Sequence, residues 1–393
     1  MNDDDATPLD PETTVSGTTS SDRLSDSAVS AGTGLKATMP ERQSTHNSEV
    51  GTALRKRLPN FWVRFSLTVL LLLVVMLGSF MVGRFAVDPW EAVRIVAAKV
   101  LPIEPTWSEM DAKVVWDVRW PRLLMAVLVG AALSCSGAAY QGVFRNPLVS
   151  PDILGVAAAS SFGAALGIVL HDAYSPSVQV YAFLCGILGV ACAYFLAYTK
   201  GSIPNTMLIL AGVVTSSLFN AGVSVMKYLA DPYDDLPAIT FWLMGSLSGM
   251  RWENLLFAAP VIIVAMIALW FVSWRLNILT MGDDEARSLG INTTRLKVTV
   301  IICATALTAT AVSQCGAIGW IGLVIPHMAR MVVGPDHRKL IPTAAVLGAT
   351  FLLLIDNLTR TASETSLPLS IPIAFIGAPV FAILLRNSTR QWS

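Results

Sequence analysis

RWPRLLMAVLVGAALSCSGAAYQGVFRNPLVSPDILG, Arg119 to Gly155, contains an uncharged, mostly apolar run from Leu123 to Phe144. At about 1.5 Å of rise per residue, a helix over that run crosses the roughly 30 Å hydrocarbon core of a bilayer. Gly130, Gly137 and Gly142 punctuate it more densely than a plain anchor requires, and small residues let helix backbones approach one another. The run stops at Arg145 and Asn146, and Pro147 and Pro151 disfavour a helical conformation for the residues before them. A turn of specified shape is predicted there, on the inner face.

Around this span, assigned to about 121–142, lie nine more apolar stretches, at about 61–82, 153–170, 178–198, 206–227, 254–274, 295–313, 318–334, 340–358 and 371–386. The chain therefore reads as an all-α polytopic membrane protein with about ten transmembrane helices. Composition agrees: 54% of the 393 residues are hydrophobic and 14% charged, and mean hydropathy is +0.60. Ordinary soluble domains carry about 25% charged residues, so a soluble enzyme is excluded. A formal net charge of zero leaves no basic stripe, which excludes nucleic acid as a partner. The five cysteines, Cys135, Cys185, Cys192, Cys303 and Cys315, sit in apolar runs without CxxC spacing and read as small membrane-buried residues.

Residues 1–55 are rich in Ser, Thr, Asp and Gly and too poor in large apolar side chains to offset the entropy of ordering, so a disordered polar tail is expected. Asp3, Asp4 and Asp5 open it, and no apolar run precedes Phe61, so the first hydrophobic segment is not read as a cleaved signal. Residues 56–393 form the transmembrane domain. Lys and Arg gather on the side implied by Arg55, Lys56 and Arg57, at Arg145, Lys200, Arg275, Arg338, Lys339 and Arg390 among others, which places both termini in the cytoplasm and the chain in the cytoplasmic membrane. Residues 84–118 stand out on the other side, with Arg84, Arg94, Lys99 and Lys113 among Trp90, Trp107 and Trp116; these tryptophans and Trp120 suit a water–hydrocarbon interface.

Between the sixth and seventh spans, LNILTMGDDEARSLGI (276–291) contains a helix too short and too charged to span. Gly282 ends the preceding helix, Asp283, Asp284 and Glu285 suit a first turn, and Gly290 can cap the end, with Ala286 and Leu289 on one side. It is either a solvated connector or a docking helix. His327 and His337 have no Cys or carboxylate at ligand spacing, so no metal site is expected and helix capping or a partner contact is preferred. Asp356 lies within the ninth span, where an ionisable group is a functional candidate, or the i,i+4 partner of Arg360. No GxxxxGK[ST], HExxH or GxSxG motif is visible, so no catalytic residue is assigned and the chain is not read as an enzyme.

Taken together, the Arg119–Gly155 stretch, LNILTMGDDEARSLGI, GAIGWIGLVIPHMARMVVGPDHR (316–338) and IAFIGAPVFAILLR (373–386) resemble the FecCD family over about residues 60–390. These are permease subunits of ATP-binding cassette importers for iron–siderophores, haem and cobalamin. The resemblance implies a type II importer permease, a homodimer or a pairing with a similar subunit, two cytoplasmic ATPase subunits and an external substrate-binding protein. ATP and Mg would then bind the partner ATPase, and this chain would need no cofactor of its own. It also implies an ATPase-coupling helix at Gly282, Asp283, Glu285, Ala286, Arg287, Leu289 and Gly290, a cytoplasmic gate at Asn205 and Thr206 in IPNTMLILAG, and a binding-protein contact at Arg360. Ala317 and Trp320 depart from the usual Pro and Phe of the family's GpIgFvG pattern.

The function so implied is alternating-access import of a metal chelate, with iron(III)–siderophore favoured over cobalamin and haem. An ion-coupled secondary transporter using Asp356 is the alternative from another class.

Overall fold

The computed structural model describes residues 60–389 except 84–86, 100, 103, 174, 199–202 and 363–366. The tail 1–55, Lys56, Arg57, Arg84, Lys200 and Arg390 lie outside the described residues. Everything described is helix or connection. In chain order the helices are α1 (Phe61–Met81), α2 (Pro89–Ala97), α3 (Glu109–Phe144), α4 (Val156–Leu170), α5 (Ser177–Ala197), α6 (Asn205–Leu229), α7 (Asp235–Met244), α8 (Trp252–Leu279), α9 (Asp283–Ser288), α10 (Thr293–Cys315), α11 (Ile321–Val333), α12 (His337–Ala362) and α13 (Ser370–Thr389). By length and composition α1, α3, α5, α6, α8, α10 and α12 can each cross a membrane, and the shorter apolar α4, α11 and α13 complete the ten expected from the sequence.

Helix α3 is the hub. Its apolar window is 83% buried, against 17% for α1, whose side chains largely face outward. It packs on α12, α10, α11 and α8. The glycines permit this: a Cβ at Gly137 would lie 1.8 Å from the Gly322 carbonyl of α11, and one at Gly130 would lie 2.3 Å from that of Gly348 on α12. Hydroxyls bind α3 to α10, with Ser136 Oγ 2.7 Å from Thr308 Oγ1 and Tyr140 OH 3.2 Å from Thr305 Oγ1. Such pairs satisfy polar groups that lipid cannot solvate. A smaller apolar cluster joins α4, α5 and α7 through Ala164, Ile168, Ala182 and Ile239.

The described part of residues 84–118 folds as α2 and the first turns of α3. Asp88 caps α2, its carboxylate accepting from the N–H groups of Trp90 (2.8 Å) and Glu91 (3.3 Å), with Pro89 at the first helical position. Ser108 and Asp111 form a capping box for α3, which passes through a π-helical segment at Val114–Arg119. Trp90 is exposed, as a belt residue would be, but Trp116 packs 5.1 Å from Trp252, whose indole N–H donates to the Trp116 carbonyl at 3.0 Å. Trp320, just before α11, stands at φ 66° with its ring 6.2 Å from Phe381 of α13, so it fills a helix contact.

Candidate coupling and gate site

One end of the bundle holds the junction of α8, α9 and α10. There α8 stops at Leu279, Gly282 takes φ 144°, and the six-residue α9 begins. At its other end the N–H groups of Gly290 and Ile291 return to the carbonyls of Arg287 (2.9 Å) and Ala286 (3.0 Å), with Gly290 at φ 81°. The helix is thus closed at both ends by glycines in conformations that other residues rarely adopt.

The seven residues assigned to docking divide by direction. Gly282 and Ala286 are buried, and Asp283 turns inward: its Oδ2 accepts from Lys297 Nζ at 2.6 Å, and its Oδ1 lies 3.8 Å from an Arg145 guanidinium nitrogen. Glu285, Arg287, Leu289 and Gly290 are exposed, with Leu289 62% accessible and Met281 beside it 67%. Ala286 and Leu289 therefore do not share a free face, as the sequence suggests. Ala286 anchors α9 to its own bundle, because a helix this short can be held only by packing one side inward.

Lys297, which the sequence reading missed, is only 4% accessible in its side chain and lies on the first turns of α10. A buried ammonium needs a partner, and Asp283 supplies it. Across a cleft of about 260 Å³ from Asp283 and Lys297 stand Ile203 and Pro204, the residues just before α6. The proposed gate residues follow them. Asn205 is half-buried and donates its Nδ2 to the Val143 carbonyl at 3.1 Å, whereas Thr206 is exposed.

Beyond Thr206, α6 carries an exposed stripe that the apolar reading of its sequence concealed. On its second half Ser217, Asn220 and Ser224 repeat at helical spacing, with the Ser217 and Ser224 hydroxyls donating to the carbonyls of Val213 (2.9 Å) and Asn220 (3.1 Å), while between them and Thr206 the same face carries exposed Leu210 and Val213. Met207, Val214, Leu218 and Val225 form an exposed apolar stripe beside it. Lipid would favour apolar residues in both stripes, so the polar one marks a wetter surface.

At the opposite end of α12, Asp356 is fully buried between two guanidiniums. Arg122 Nε and an Arg122 terminal nitrogen donate to Oδ1 at 2.9 and 2.8 Å, and Arg360 Nε lies 3.1 Å from Oδ2. Arg360 also donates to the carbonyls of Val82 (2.8 Å) and Ser79 (3.3 Å) and to Asn357 Oδ1. Its side chain is only 9% accessible. Arg360, which the family resemblance assigns to a binding-protein contact, here bridges α12 to the end of α1. Asp356 Oδ1 is taken by Arg122, whereas Oδ2 faces Arg360 as an ion pair without a hydrogen bond. Arg94 of α2 donates to Thr106 Oγ1 at 2.8 Å and lies 5.8 Å over the ring of Trp107.

His337 sits at the start of α12, its Nδ1 and backbone N–H each 2.8 Å from Asn277 Oδ1 of α8, and His327 is half-buried on α11. Among the described residues, no three His, Cys, Asp or Glu side chains are placed to hold a metal ion. Asp152, on the turn Pro151–Leu154 between α3 and α4, receives no hydrogen bond or ion pair at its carboxylate among the described residues, and burial pushes its carboxyl up to about 6.

Residues 70–387 match one family throughout. The chain belongs to the FecCD transport family. It is 39% identical to the molybdate import system permease protein MolB of Haemophilus influenzae over 84% of this chain and 96% of that one. It is 37% identical to the cobalamin import system permease protein BtuC of Halobacterium salinarum, over 76% and 80% of the two chains. Its fold matches a solved metal-chelate type ABC transporter in an inward-facing conformation, at 38% identity and TM-score 0.73, over 82% of this chain and 98% of that one. The protein is thus a multi-pass membrane permease of an ABC importer, a transport subunit rather than a catalyst.

Proposed function

We propose that this FecCD permease imports an iron(III)–siderophore across the cytoplasmic membrane as a homodimer, with α9 docked on a cytoplasmic ATPase and the path running along α6. The α9 end is cytoplasmic in this reading, as are both termini. The observation that carries it is the division of α9, rigidly held inward by Ala286 and Asp283 while Glu285 and Leu289 project outward. A helix fixed to its bundle and exposing a charge beside an apolar side chain is suited to receive force from a partner. ATP and Mg belong to that partner, and an external binding protein delivers the chelate to the end where Arg122 and Arg360 pair with Asp356.

The neutral polar stripe on α6 supports a bulky, weakly held cargo, because hydroxyls and an amide wet a passage without retaining what crosses it. Specificity then resides mainly in the binding protein. A molybdate oxyanion is the second reading, favoured by the 39% identity to a molybdate permease. Proteoliposomes containing the chain, its ATPase and its binding protein test the choice with radiolabelled ferric hydroxamate, molybdate, cobalamin and haem. ATP-dependent accumulation of the ferric chelate is expected; accumulation of molybdate alone overturns the siderophore assignment in favour of the oxyanion.

A further inference from the structure

The end of α3 raises a question of hydrogen-bond accounting. The last carbonyls of a helix lack intrahelical partners and must find others. Here the Gln141 carbonyl accepts from the Asn146 N–H at 3.2 Å and that of Gly142 from the Arg145 N–H at 3.3 Å, while Val143 depends on another element, the Asn205 side chain at 3.1 Å. Two residues further on, Arg145 turns the chain at φ 53°, and its guanidinium reaches Asp283 at 3.8 Å. The end of α3 is therefore held on one side by the residue assigned to the gate and on the other by the helix assigned to ATPase docking.

Lys297 fixes the geometry of that second contact. Its amine, 4% accessible and 2.6 Å from Asp283, holds the carboxylate so that the other oxygen faces Arg145. Displacing α9 without moving α10 or the end of α3 would separate Asp283 from the buried Lys297 and from Arg145, whose side chain is 41% accessible. Ion pairs with a buried member resist separation more strongly than solvated ones, because the buried partner is left uncompensated.

We propose that Lys297, Asp283 and Arg145 form a charged link that carries displacement of α9 to the end of α3 and so to Asn205, with Lys297 as a positioning residue. This rests on the reading of α9 as the coupling helix and of Asn205 and Thr206 as the gate. The link favours gate movement when the ATPase pushes on α9, since the Arg145 and Asn205 contacts both meet the end of α3.

The test uses the permease–ATPase complex in nanodiscs, with Thr206→Cys introduced after the native cysteines are replaced by alanine. The labelling rate of that site by a water-soluble maleimide is compared without nucleotide and with ATP, Mg and vanadate. Nucleotide is expected to change the rate about fivefold or more. Lys297→Met abolishes that response while the ATPase still co-purifies, Lys297→Arg restores it, and adding Asp283→Asn to Lys297→Met lowers it no further, as expected of residues acting as a unit. Should Lys297→Met not assemble, the isosteric Asp283→Asn gives the same loss. A parent-level response in Lys297→Met, or in Asp283→Asn if that variant carries the test, overturns the link alone. A parent complex that binds ATPase but shows no nucleotide response overturns the gate reading, and a chain that retains no ATPase overturns the coupling helix itself.

Discussion

Asp356 shows how much a single buried residue controls. With Arg122 and Arg360 both directed at its carboxylate, removing it leaves two guanidiniums facing each other in a region closed to water. Asp356→Ala is expected to lower stability by about 3–5 kcal/mol, measured by thermal unfolding in detergent, because breaking a buried pair strands its partners. The i,i+4 relation of Asp356 and Arg360 was legible in the sequence, but Arg122, 234 positions away, was not, since helical periodicity says nothing about what lies across a helix interface. Asp152 gives a pH dependence of defined sign. Its folded pKa of about 6 exceeds its ordinary value of 3.8, so the stability it contributes is fully present below pH 4 and is lost as pH rises through 6. Relative to Asp152→Asn, the parent is expected to be more stable at pH 5 than at pH 8 by on the order of 1 kcal/mol, reduced for partial exposure, the parent-minus-variant difference cancelling the titration of other groups. An unchanged pH profile in that variant would assign the dependence to another group.

Among the elements, α3 depends on close approach. Gly137→Val would place side-chain carbon inside the space of the Gly322 carbonyl, forcing α3 and α11 apart. Overpacking costs about 1–3 kcal/mol and often more where the obstacle is backbone. A lower yield of folded protein and an earlier unfolding transition are expected, whereas Gly78→Ala on α1, with open space around it, leaves both unchanged. The ten apolar helices were visible because long uncharged runs have few alternatives in a bilayer. Helix α7 was not: its ten residues begin at Asp235, just after Asp231 and Asp234, and are too few to register as a span. For α9 the sequence showed the glycine boundaries and acidic first turn but assigned Ala286 to the wrong side. In so short a helix the choice of face is made by neighbours such as Lys297, not by periodicity.

At the scale of the whole molecule, the proposed docking helix α9 lies at one end of the bundle, the hub helix α3 runs through its centre and a polar patch marks the second half of α6. Family membership establishes the permease, and the arrangement of its residues indicates how force would enter it. The exposed face of α9 is where that account is most exposed to test. The chain is co-purified with its ATPase, and the parent is compared with the Glu285→Arg, Leu289→Asp double variant, which reverses one charge and adds another without touching the inward contacts of Asp283 and Ala286. The expected result is a folded permease of unchanged oligomeric state that loses at least about tenfold of its bound ATPase, roughly 1.4 kcal/mol or more of binding free energy. A double variant that retains the ATPase at the parent level would contradict the coupling assignment and move the docking surface elsewhere on the bundle.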